Sequence, residues 1–338
     1  MTFQVTIKPS NHQYQSQEHE TILESALREG FTLPYGCRNG ACGSCKGKIL
    51  EGRVDYGKYQ DNALSENEKH AGMALFCTAS PLTDVVIECK EVGTVRDIPV
   101  KTMPCRVQKM DKVAHDVMVL YLKLPANERL QFLAGQYIDI LLKDGKRCSF
   151  SIANAPHDDE FLQLHVRHIP GGEFTGNVFN VMQEKAILRF EGPHGSFFLR
   201  EESEKPIVFV AGGTGFAPIK GIIEHAFQAH CKREMVLYWG ARSLRDLYMA
   251  ELPRQWRSEH ANFTFIPVLS EPLPEDNWQG HTGLVHQAIL DDFTDLSGYQ
   301  VYACGAPQMV DVARQTFTAR GLPEEEYFAD AFTFSTGG

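Results

Sequence analysis

The sequence predicts a multidomain fold in which an α+β unit, an antiparallel β-barrel and an α/β parallel sheet follow one another. The first block mixes short alternating strands with two capping-box patterns, at Thr21–Glu24 and Ser65–Glu68, that begin helices. The second block is a series of apolar and β-branched runs separated by Gly, Pro and Asp, which is typical of antiparallel barrels. The third block alternates strands with helical stretches, and this order favours a parallel sheet covered by helices.

The first block spans residues 1–92 and begins with an alternating strand at Phe3–Ile7. A helix is expected after the first capping box, and Gly30 can end it. Further strands are expected at Lys46–Leu50 and Val85–Ile87. These elements predict a small sheet crossed by one helix, with a long loop at the edge of the sheet.

Residues 93–104 are expected to form a linker, because Gly93 and Pro99 interrupt regular structure there. The second block then covers residues 105–200 and the third covers residues 201–338. Strands of the second block are predicted at Val117–Leu122, Tyr137–Leu142, Ser149–Ile152, Leu162–His168, Ala186–Phe190 and Ser196–Leu199. Strands of the third block are predicted at Ile207–Val210, Met235–Trp239, Phe263–Val268 and Gln300–Ala303.

Composition limits the classes of partner that this chain can have. The 338 residues are 43% hydrophobic and 22% charged, as in ordinary globular proteins, and the formal net charge is −10. An acidic surface repels phosphate backbones, so no nucleic-acid partner is expected. The apolar runs are too short to span a bilayer, and the first residues show no basic-then-apolar leader. Nine cysteines in such a chain suit a reducing compartment, which predicts a cytoplasmic protein without a membrane partner.

Four cysteines predict a metal centre. Cys37, Cys42 and Cys45 have the spacing C-x4-C-x2-C, and Cys77 follows after a helix-and-strand interval. This is the ligand spacing of a plant-type [2Fe–2S] cluster, and Gly40 lets the backbone approach the sulfur atoms. The alternatives are a set of disulfides or a zinc site on the last pair of the loop. Zinc sites usually combine two separated short pairs, whereas here three ligands crowd one loop.

Two glycine-containing segments predict a nucleotide site in the third block. The strand Val208–Val210 runs directly into Ala211–Pro218, and such a strand–turn–helix start offers bare N–H groups to a pyrophosphate. The segment Tyr302–Pro307 ends another strand of the same predicted sheet. Ligands bind at the carboxyl ends of parallel strands, so Cys304 is expected to line the same crevice. The alternative for the glycine turn is that it is only a tight strand-to-helix connection. The alternative for Cys304 is that it is a small buried core thiol.

Residues of the second block predict a flavin site. Phe150 and Ser151 could serve the flavin ring, while Arg167, Gly172 and Thr175 could serve the pyrophosphate of FAD. Each of these residues taken singly fits an ordinary sheet surface equally well. Their occurrence between a cysteine loop and a nucleotide motif favours the flavin interpretation.

Over its whole length the chain resembles the iron–sulfur flavoprotein reductases of the ferredoxin–NADP reductase superfamily. The stretches that carry this resemblance are AGQYIDI, SIANAP, LHVR, GGTGFAP, YWG, VYACG and the late DAF. The resemblance implies a β-grasp ferredoxin-like domain at 1–92, a FAD-binding barrel at 105–200 and a NAD(P)H-binding domain at 201–338.

The resemblance also implies roles for individual residues. It assigns Ser151 to the N5 edge of the flavin, Cys304 to the nicotinamide and Phe332 to a shield over the flavin face, an ordinary packed aromatic being the alternative for Phe332. The three cysteines of the loop, Cys37, Cys42 and Cys45, and the later Cys77 would hold the cluster. The remaining cofactor residues are Phe150, Asn154 and Thr175 for FAD, and Gly212, Gly213, Thr214, Gly215, Pro218 and Gly305 for the nicotinamide nucleotide.

Two positions depart from the flavin motif of this family. Phe150 replaces a tyrosine, and Cys148 replaces an arginine. Arg147 is adjacent, but neighbouring side chains of a strand face opposite sides. Losing a charge-assisted bond to phosphate weakens binding by about 1.5–3 kcal/mol. FAD is therefore expected to bind less tightly, with FMN as the alternative.

The resemblance implies electron transfer from NADH to FAD, then to the [2Fe–2S] cluster, and then to a partner protein. The flavin is needed because NADH gives two electrons together whereas the cluster accepts one. The pattern is most like reductases that serve a dehydratase partner in dideoxysugar biosynthesis; the alternative is the reductase component of an aromatic-ring dioxygenase or a multicomponent hydroxylase. Arg242 could favour a 2′-phosphate, so NADPH stays the alternative to NADH. A monomer is expected because one chain carries all the redox centres.

Overall fold

The computed structural model describes residues 2–89, 91 and 98–332. The chain forms two compact units, the first comprising residues 1–99 with 194–196 and the second comprising the rest. The sequence predicted three domains, and the structure places the second and third of these blocks together in unit 2. The first part of the predicted linker, residues 93–97, lies outside the described residues.

Unit 1 has a five-stranded sheet, two helices and a separate two-stranded ribbon. Its elements are β1 (Thr2–Lys8), β2 (Gln13–Gln17), α1 (Ile22–Arg28), β3 (Lys46–Glu51), β4 (Val54–Asp55), α2 (Glu66–His70), β5 (Met73–Leu75), β6 (Ser80–Pro81) and β7 (Val85–Glu88). The sheet order is β2-β1-β7-β3-β5, and β4 pairs with β6. The central pair β1–β7 is parallel, while β2, β3 and β5 run antiparallel to their neighbours.

Local sequence signals set the helices of unit 1. The side chain of Thr21 accepts from the N–H of Glu24 and the Glu24 carboxylate accepts from the N–H of Thr21, so the predicted capping box is present. Gly30 follows the helix at φ +81°, a conformation that glycine adopts without strain. The apolar side chains of α1 are buried in the unit 1 core, which fixes the start of the long loop that follows.

The first half of unit 2, which we call the antiparallel half, is a six-stranded sheet with one helix. Its elements are β8 (Lys101–Lys112), β9 (Val117–Lys123), β10 (Tyr137–Leu141), β11 (Arg147–Ser151), β12 (Leu162–Arg167), α3 (Glu173–Asn180) and β13 (Ile187–His194). The strand order is β11-β10-β13-β8-β9-β12. The pairs β10–β11, β8–β13, β8–β9 and β9–β12 are antiparallel.

Two predictions for this region are wrong. Residues 101–104 were expected in the linker, but they begin the 12-residue strand β8, where even Pro104 faces Arg189 of the neighbouring strand. Ser196–Leu199 was expected as a strand but lies outside every strand of the described chain. Its apolar side chains are buried for another reason: Phe197 packs edge-on against Tyr302 with ring centroids 6.0 Å apart.

The second half of unit 2, which we call the parallel half, is a parallel sheet with helices. Its elements are β14 (Ile207–Gly212), α4 (Phe216–Gln228), β15 (Met235–Ala241), α5 (Glu251–Glu259), β16 (Phe263–Leu269), β17 (His281–Thr282), α6 (Val285–Asp292), β18 (Gln300–Gly305), α7 (Pro307–Thr318) and β19 (Tyr327–Ala331). The order is β17-β16-β15-β14-β18-β19, and all five pairings are parallel. The carboxyl ends of the central strands β14 and β18 therefore lie side by side.

None of the helices in the described ranges 2–89 and 98–332 is both long enough and apolar enough to cross a bilayer. The longest, α4, has 13 residues.

Candidate functional site

The four predicted cluster ligands come together in unit 1. Cys37, Cys42 and Cys45 lie in the loop between α1 and β3, and Cys77 follows β5. The backbone joins the two segments, because the N–H of Phe76 donates to the carbonyl of Cys45 at 3.1 Å. All four side chains are buried or half-buried, and all nine cysteines of the chain are free thiols. The alternative of a disulfide set therefore finds no counterpart in the structure.

Glycines give this loop its curvature. Gly40 and Gly43 have φ values of +74° and +73°, which favour glycine. A Cβ on Gly40 would also lie 2.8 Å from the carbonyl oxygen of Lys58, so no side chain fits there. Sequence reasoning missed Gly36, where a Cβ would approach Sγ of Cys42 to 3.1 Å. Gly36 directly precedes Cys37, the first predicted ligand, and this position could have indicated that it shapes the loop.

The thiols of the loop interact with one another and with backbone N–H groups. The N–H of Cys37 donates to Sγ of Cys42 at 3.3 Å. A hydrogen bond with Cys42 and the N–H groups of Asn39 and Ala41 lower the pKa of Cys37 to about 7. Hydrogen bonding with Cys45 likewise lowers the pKa of Cys77. The same hydrogen bonds, together with burial, raise the pKa of Cys42 and of Cys45. Four cysteine side chains that hydrogen-bond in pairs, with backbone N–H groups directed at Cys37 and Cys77, fit the ligand set of a [2Fe–2S] cluster.

The two predicted nucleotide segments pack directly on each other in the parallel half. A Cβ added to Gly215 would lie 2.0 Å from the carbonyl oxygen of Cys304, and one on Gly305 would lie 3.1 Å from Cα of Gly212. The turn Gly213–Gly215 leads into α4 without any side-chain cap, which leaves its N–H groups available to an anion.

The other residues of these segments occupy different environments. Thr214 is partly exposed at the turn, whereas Pro218 is buried in the first turn of α4. Met309 was not predicted, yet its sulfur lies 2.6 Å from a Cβ position on Gly212 and its methyl 3.0 Å from one on Gly305. Met309 therefore covers the junction of the two segments from α7.

Cys304 is buried within the parallel sheet. Its side chain is fully buried in β18, and its partners in register are Ala211 of β14 and Asp330 of β19. Burial and the Asp330 carboxylate raise the pKa of its thiol well above the ordinary value. This position agrees with the alternative of a buried core thiol, and the assignment of Cys304 to the nicotinamide stays a prediction.

Ser151 and Phe332 lie close to the nucleotide segments. The hydroxyl of Ser151, at the end of β11, donates to Oδ2 of Asp330 at 3.4 Å. Phe332 donates its N–H to the carbonyl of Gly305 at 2.8 Å, and its ring is partly buried. Sequence reasoning missed Asp330, because only the fold brings β19 against β11 across 179 residues.

The side-chain amide of Asn154, a predicted FAD residue, is hydrogen-bonded within the protein. Its side chain is fully buried, donates to the carbonyls of Asp158 and Phe161 at 2.5 and 3.0 Å, and accepts from the N–H of Gln163 at 2.8 Å. These bonds use both amide hydrogens and the amide oxygen. Asn154 therefore holds the loop after β11 and has no donor left for a flavin.

Arg167 lies against the glycine turn of the parallel half. Its guanidinium nitrogen Nη1 is 2.5 Å from a Cβ position on Gly213, and its Nε is 3.2 Å from Oδ2 of Asp116. Asp116 thus holds Arg167 beside the turn. The assignment of Arg167 to the flavin pyrophosphate stays a prediction.

The predicted flavin pyrophosphate loop begins helix α3. Gly172 is the N-cap of this helix, with no side-chain cap, and its N-terminus can accept an anion. The hydroxyl of Thr175 accepts from the N–H of Ile169 at 3.2 Å, which holds the loop closed. Phe150 packs against Phe174 of the same helix with ring centroids 5.2 Å apart.

Arg147 does not replace the arginine that the flavin motif of this family has at the position of Cys148. Arg147 makes a two-pronged contact with the Glu191 carboxylate and lies 3.6 Å from Oδ2 of Asp139. Cys148 is half-buried on the other side of β11, as the alternation of a strand requires.

Three family models match the chain in order along the sequence. They are a 2Fe-2S iron-sulfur cluster binding domain over residues 5–82, an oxidoreductase FAD-binding domain over 104–199 and an oxidoreductase NAD-binding domain over 209–315. The CDP-6-deoxy-L-threo-D-glycero-4-hexulose-3-dehydrase reductase of Yersinia pseudotuberculosis is 38% identical over 332 residues, which cover 98% of this chain and 99% of that protein. The chain belongs to the iron–sulfur flavoprotein reductases.

Other members of this reductase family are similar over the same length. The reductase component of phenol 2-monooxygenase from Pseudomonas sp. strain CF600 is 33% identical, covering all of this chain and 96% of that protein. Among solved structures, the Amycolatopsis cytochrome P450 reductase GcoB superposes with a TM-score of 0.79 at 32% identity, covering 99% of this chain and all of that one. The chain is therefore an oxidoreductase with binding domains for a 2Fe–2S cluster, FAD and NAD.

Proposed function

We propose that this chain is an NADH-dependent reductase that passes electrons through FAD and a [2Fe–2S] cluster to a dehydratase-type partner enzyme of dideoxysugar biosynthesis. The observation that carries the proposal is the hydrogen bond between Ser151 and Asp330, because Asp330 pairs in register with Cys304, whose carbonyl oxygen lies against Gly215. These contacts link a buried flavin-motif residue to the nucleotide-motif turn. The Yersinia relative, similar over its full length, supports the choice of partner.

The finer assignments belong to the same proposal. We take the antiparallel half as a closed barrel for FAD, the parallel half as the nucleotide domain, and the whole chain as a monomer. The domain bounds proposed are 1–92, 105–200 and 201–338, with the linker shortened to end before β8.

Each half of unit 2 supplies defined chemistry to this reaction. FAD, when bound, accepts a hydride and releases electrons singly, which joins a two-electron donor to a one-electron cluster. Ser151 would orient the flavin ring edge, and Asp330 fixes the direction of its hydroxyl. The uncapped turn before α4 and the guanidinium of Arg167 would bind the pyrophosphate of NADH. Cys304 would shape the floor of the nicotinamide site through its backbone.

In unit 1, the four cysteines would hold the cluster. Cys37, Cys42, Cys45 and Cys77 supply four thiolates, and N–H groups of the loop offset their charge. The partner would take its electron from this unit.

The second candidate is a reductase component of an oxygenase. It is favoured by the phenol 2-monooxygenase relative, whose similarity also covers the whole chain. Both candidates use the same residues, so only the acceptor separates them.

The test has two stages. An anaerobic titration with NADH, and separately with NADPH, should show uptake of about three electrons per chain, two by the flavin and one by the cluster. NADH oxidation is then measured with the Yersinia dehydrase and its CDP-hexulose substrate, or with a phenol 2-monooxygenase oxygenase component and phenol. Stimulation by the dehydrase alone supports the first function, and stimulation by the oxygenase alone replaces it with the second. Absence of flavin reduction by either nucleotide would remove both.

A further inference from the structure

A buried hydrogen bond joins the two halves of unit 2. His165 lies in β12 of the antiparallel half and is 5% exposed. Its Nδ1 and the hydroxyl of Tyr248, a residue of the parallel half that is 9% exposed, share a hydrogen bond of 2.8 Å. Arg167, two residues further along the same face of β12, reaches the glycine turn at Gly213.

From Tyr248 the contacts continue to the nucleotide turn. The ring of Tyr248 packs edge-on against Trp239 with centroids 5.2 Å apart. Trp239 stacks on Phe216, the first residue of α4, at 4.0 Å and an interplanar angle of 13°. Nε1 of Trp239 donates to the carbonyl of Gly213 at 2.9 Å. A shift of Tyr248 would therefore move the turn that is proposed to bind NADH.

From His165 the contacts continue to the proposed flavin residue. Leu164 forms a β-bridge with Ile152, which directly follows Ser151. The N–H of Ala153 donates to the carbonyl of Gln163 at 2.8 Å. The segment that carries Ser151 is thus tied to the strand that carries His165.

Stability alone does not explain this pair. Burial and the nearby Lys220 lower the pKa of His165 to about 3, so the imidazole is neutral, and burial raises the pKa of Tyr248 above its ordinary value. Nε2 of His165 is buried and has no hydrogen-bond partner in the part of the chain that the structure describes. A buried polar atom without a partner lowers the stability of the folded state, so an apolar pair of the same shape would be at least as stable.

We propose that the His165–Tyr248 hydrogen bond is a positioning device for hydride transfer, which sets the nucleotide turn at a fixed distance from the Ser151 segment. This inference rests on the proposed function. In the step that it serves, the C4–H bond of NADH breaks and the hydride passes to FAD, so that NADH is oxidised by two electrons and FAD is reduced by the same two. Neither His165 nor Tyr248 contacts the reacting atoms.

The test is the Tyr248→Phe variant of the full chain, loaded with FAD and cluster. It removes the hydroxyl and keeps the ring on Trp239. Anaerobic stopped-flow reduction by NADH and by C4-deuterated NADH measures the hydride-transfer step. We expect the rate constant to fall about tenfold with the deuterium isotope effect retained, because a misplaced donor slows transfer without changing the step. FAD content and the KM for NADH should change less than twofold.

Two further variants control the result. Tyr238→Phe removes another buried tyrosine hydroxyl of the parallel half, which donates to Asp292 at 2.6 Å and makes no hydrogen bond to β12. It should keep the wild-type rate. His165→Leu should match Tyr248→Phe, while His165→Asn, which can still bond to Tyr248, should recover at least part of the rate.

Several outcomes overturn the proposal. They are a Tyr248→Phe rate within twofold of wild type, an equal loss in Tyr238→Phe, and an asparagine variant no faster than the leucine variant. A wild-type protein that neither nucleotide reduces would remove the proposed function, and this inference with it. Normal reduction of wild type with an unchanged Tyr248→Phe removes the inference alone.

Discussion

The cysteine loop of unit 1 and the nucleotide region of unit 2 are built in opposite ways. Three of the four proposed cluster ligands come from the nine residues 37–45, and glycines within this loop give it its curvature. The residues of the nucleotide region are scattered along the sequence between Asp116 and Phe332. They meet because strands of both halves of unit 2 end beside the nucleotide turn. The loop is a local structure, whereas the nucleotide region depends on the whole of unit 2.

This difference determines how each region responds to substitution. In the loop, removing one ligand should abolish one redox centre and leave unit 2 unchanged. In the nucleotide region, close backbone contacts and long-range side-chain pairs both maintain the geometry. A single substitution there should therefore weaken NADH binding or slow flavin reduction without abolishing either. The following predictions test that contrast.

Cys45→Ser should give the largest effect, because serine replaces a buried cysteine that is a proposed ligand of the cluster. Reductive titration should fall from about three electrons to about two, with flavin reduction by NADH retained. The cluster signal in electron paramagnetic resonance of the reduced protein measures the loss. Cys89→Ser, a half-buried cysteine of unit 1 outside the loop, is the matched control and should keep the signal. Loss of flavin reduction in Cys45→Ser would contradict the independence of the two regions.

Gly215→Ala should give the second-largest effect. The added Cβ would lie 2.0 Å from the carbonyl oxygen of Cys304, so the two nucleotide segments must separate. Overpacking of this kind costs about 1–3 kcal/mol, which corresponds to about a 5- to 150-fold increase in the KM for NADH. Steady-state kinetics with an artificial electron acceptor measure the KM for NADH. Gly298→Ala, with open space around its Cβ position, should behave as wild type. An unchanged KM in Gly215→Ala would show that the close contact does not shape the nucleotide site.

Cys148→Arg should act in the opposite direction, because it strengthens the binding of a cofactor. Restoring the arginine of the family motif adds a charge-assisted bond worth about 1.5–3 kcal/mol, so FAD should bind at least tenfold more tightly to the apoprotein. Quenching of flavin fluorescence on titration with apoprotein measures the Kd. Cys148→Met, which adds length without charge, is the control. No change in Cys148→Arg would indicate that the new side chain pairs with Glu173, one of the acids whose charge raises the pKa of Cys148.

The sequence was most informative where structure is local. The capping boxes at Thr21 and Ser65 form as predicted, with α1 at Ile22–Arg28 and α2 at Glu66–His70. The four cysteines converge because their spacing and glycines leave the loop few alternatives. The 2Fe–2S, FAD and NAD domains, predicted from their motifs, are confirmed by the three family matches.

The sequence was least informative where partners are distant. Arg167 was assigned to the flavin because its strand lies in the flavin block, but its neighbours Asp116 and Gly213 are set by the fold. Asn154 matched a motif position, yet its amide is used by the loop that follows it. Asp330 and Tyr248 gave no local signal, since each acts through a residue more than 80 positions away.

The contact between Gly215 and residue 304 has a consequence for how this sequence can vary in nature. The atoms that exclude a Cβ at Gly215 are the backbone carbonyl of residue 304 and the N–H of Gly305, and not the thiol. Every residue at position 304 would present the same backbone carbonyl, so selection on the turn should hold position 215 to glycine. Among relatives with this turn, position 215 should therefore be glycine whatever side chain stands at position 304.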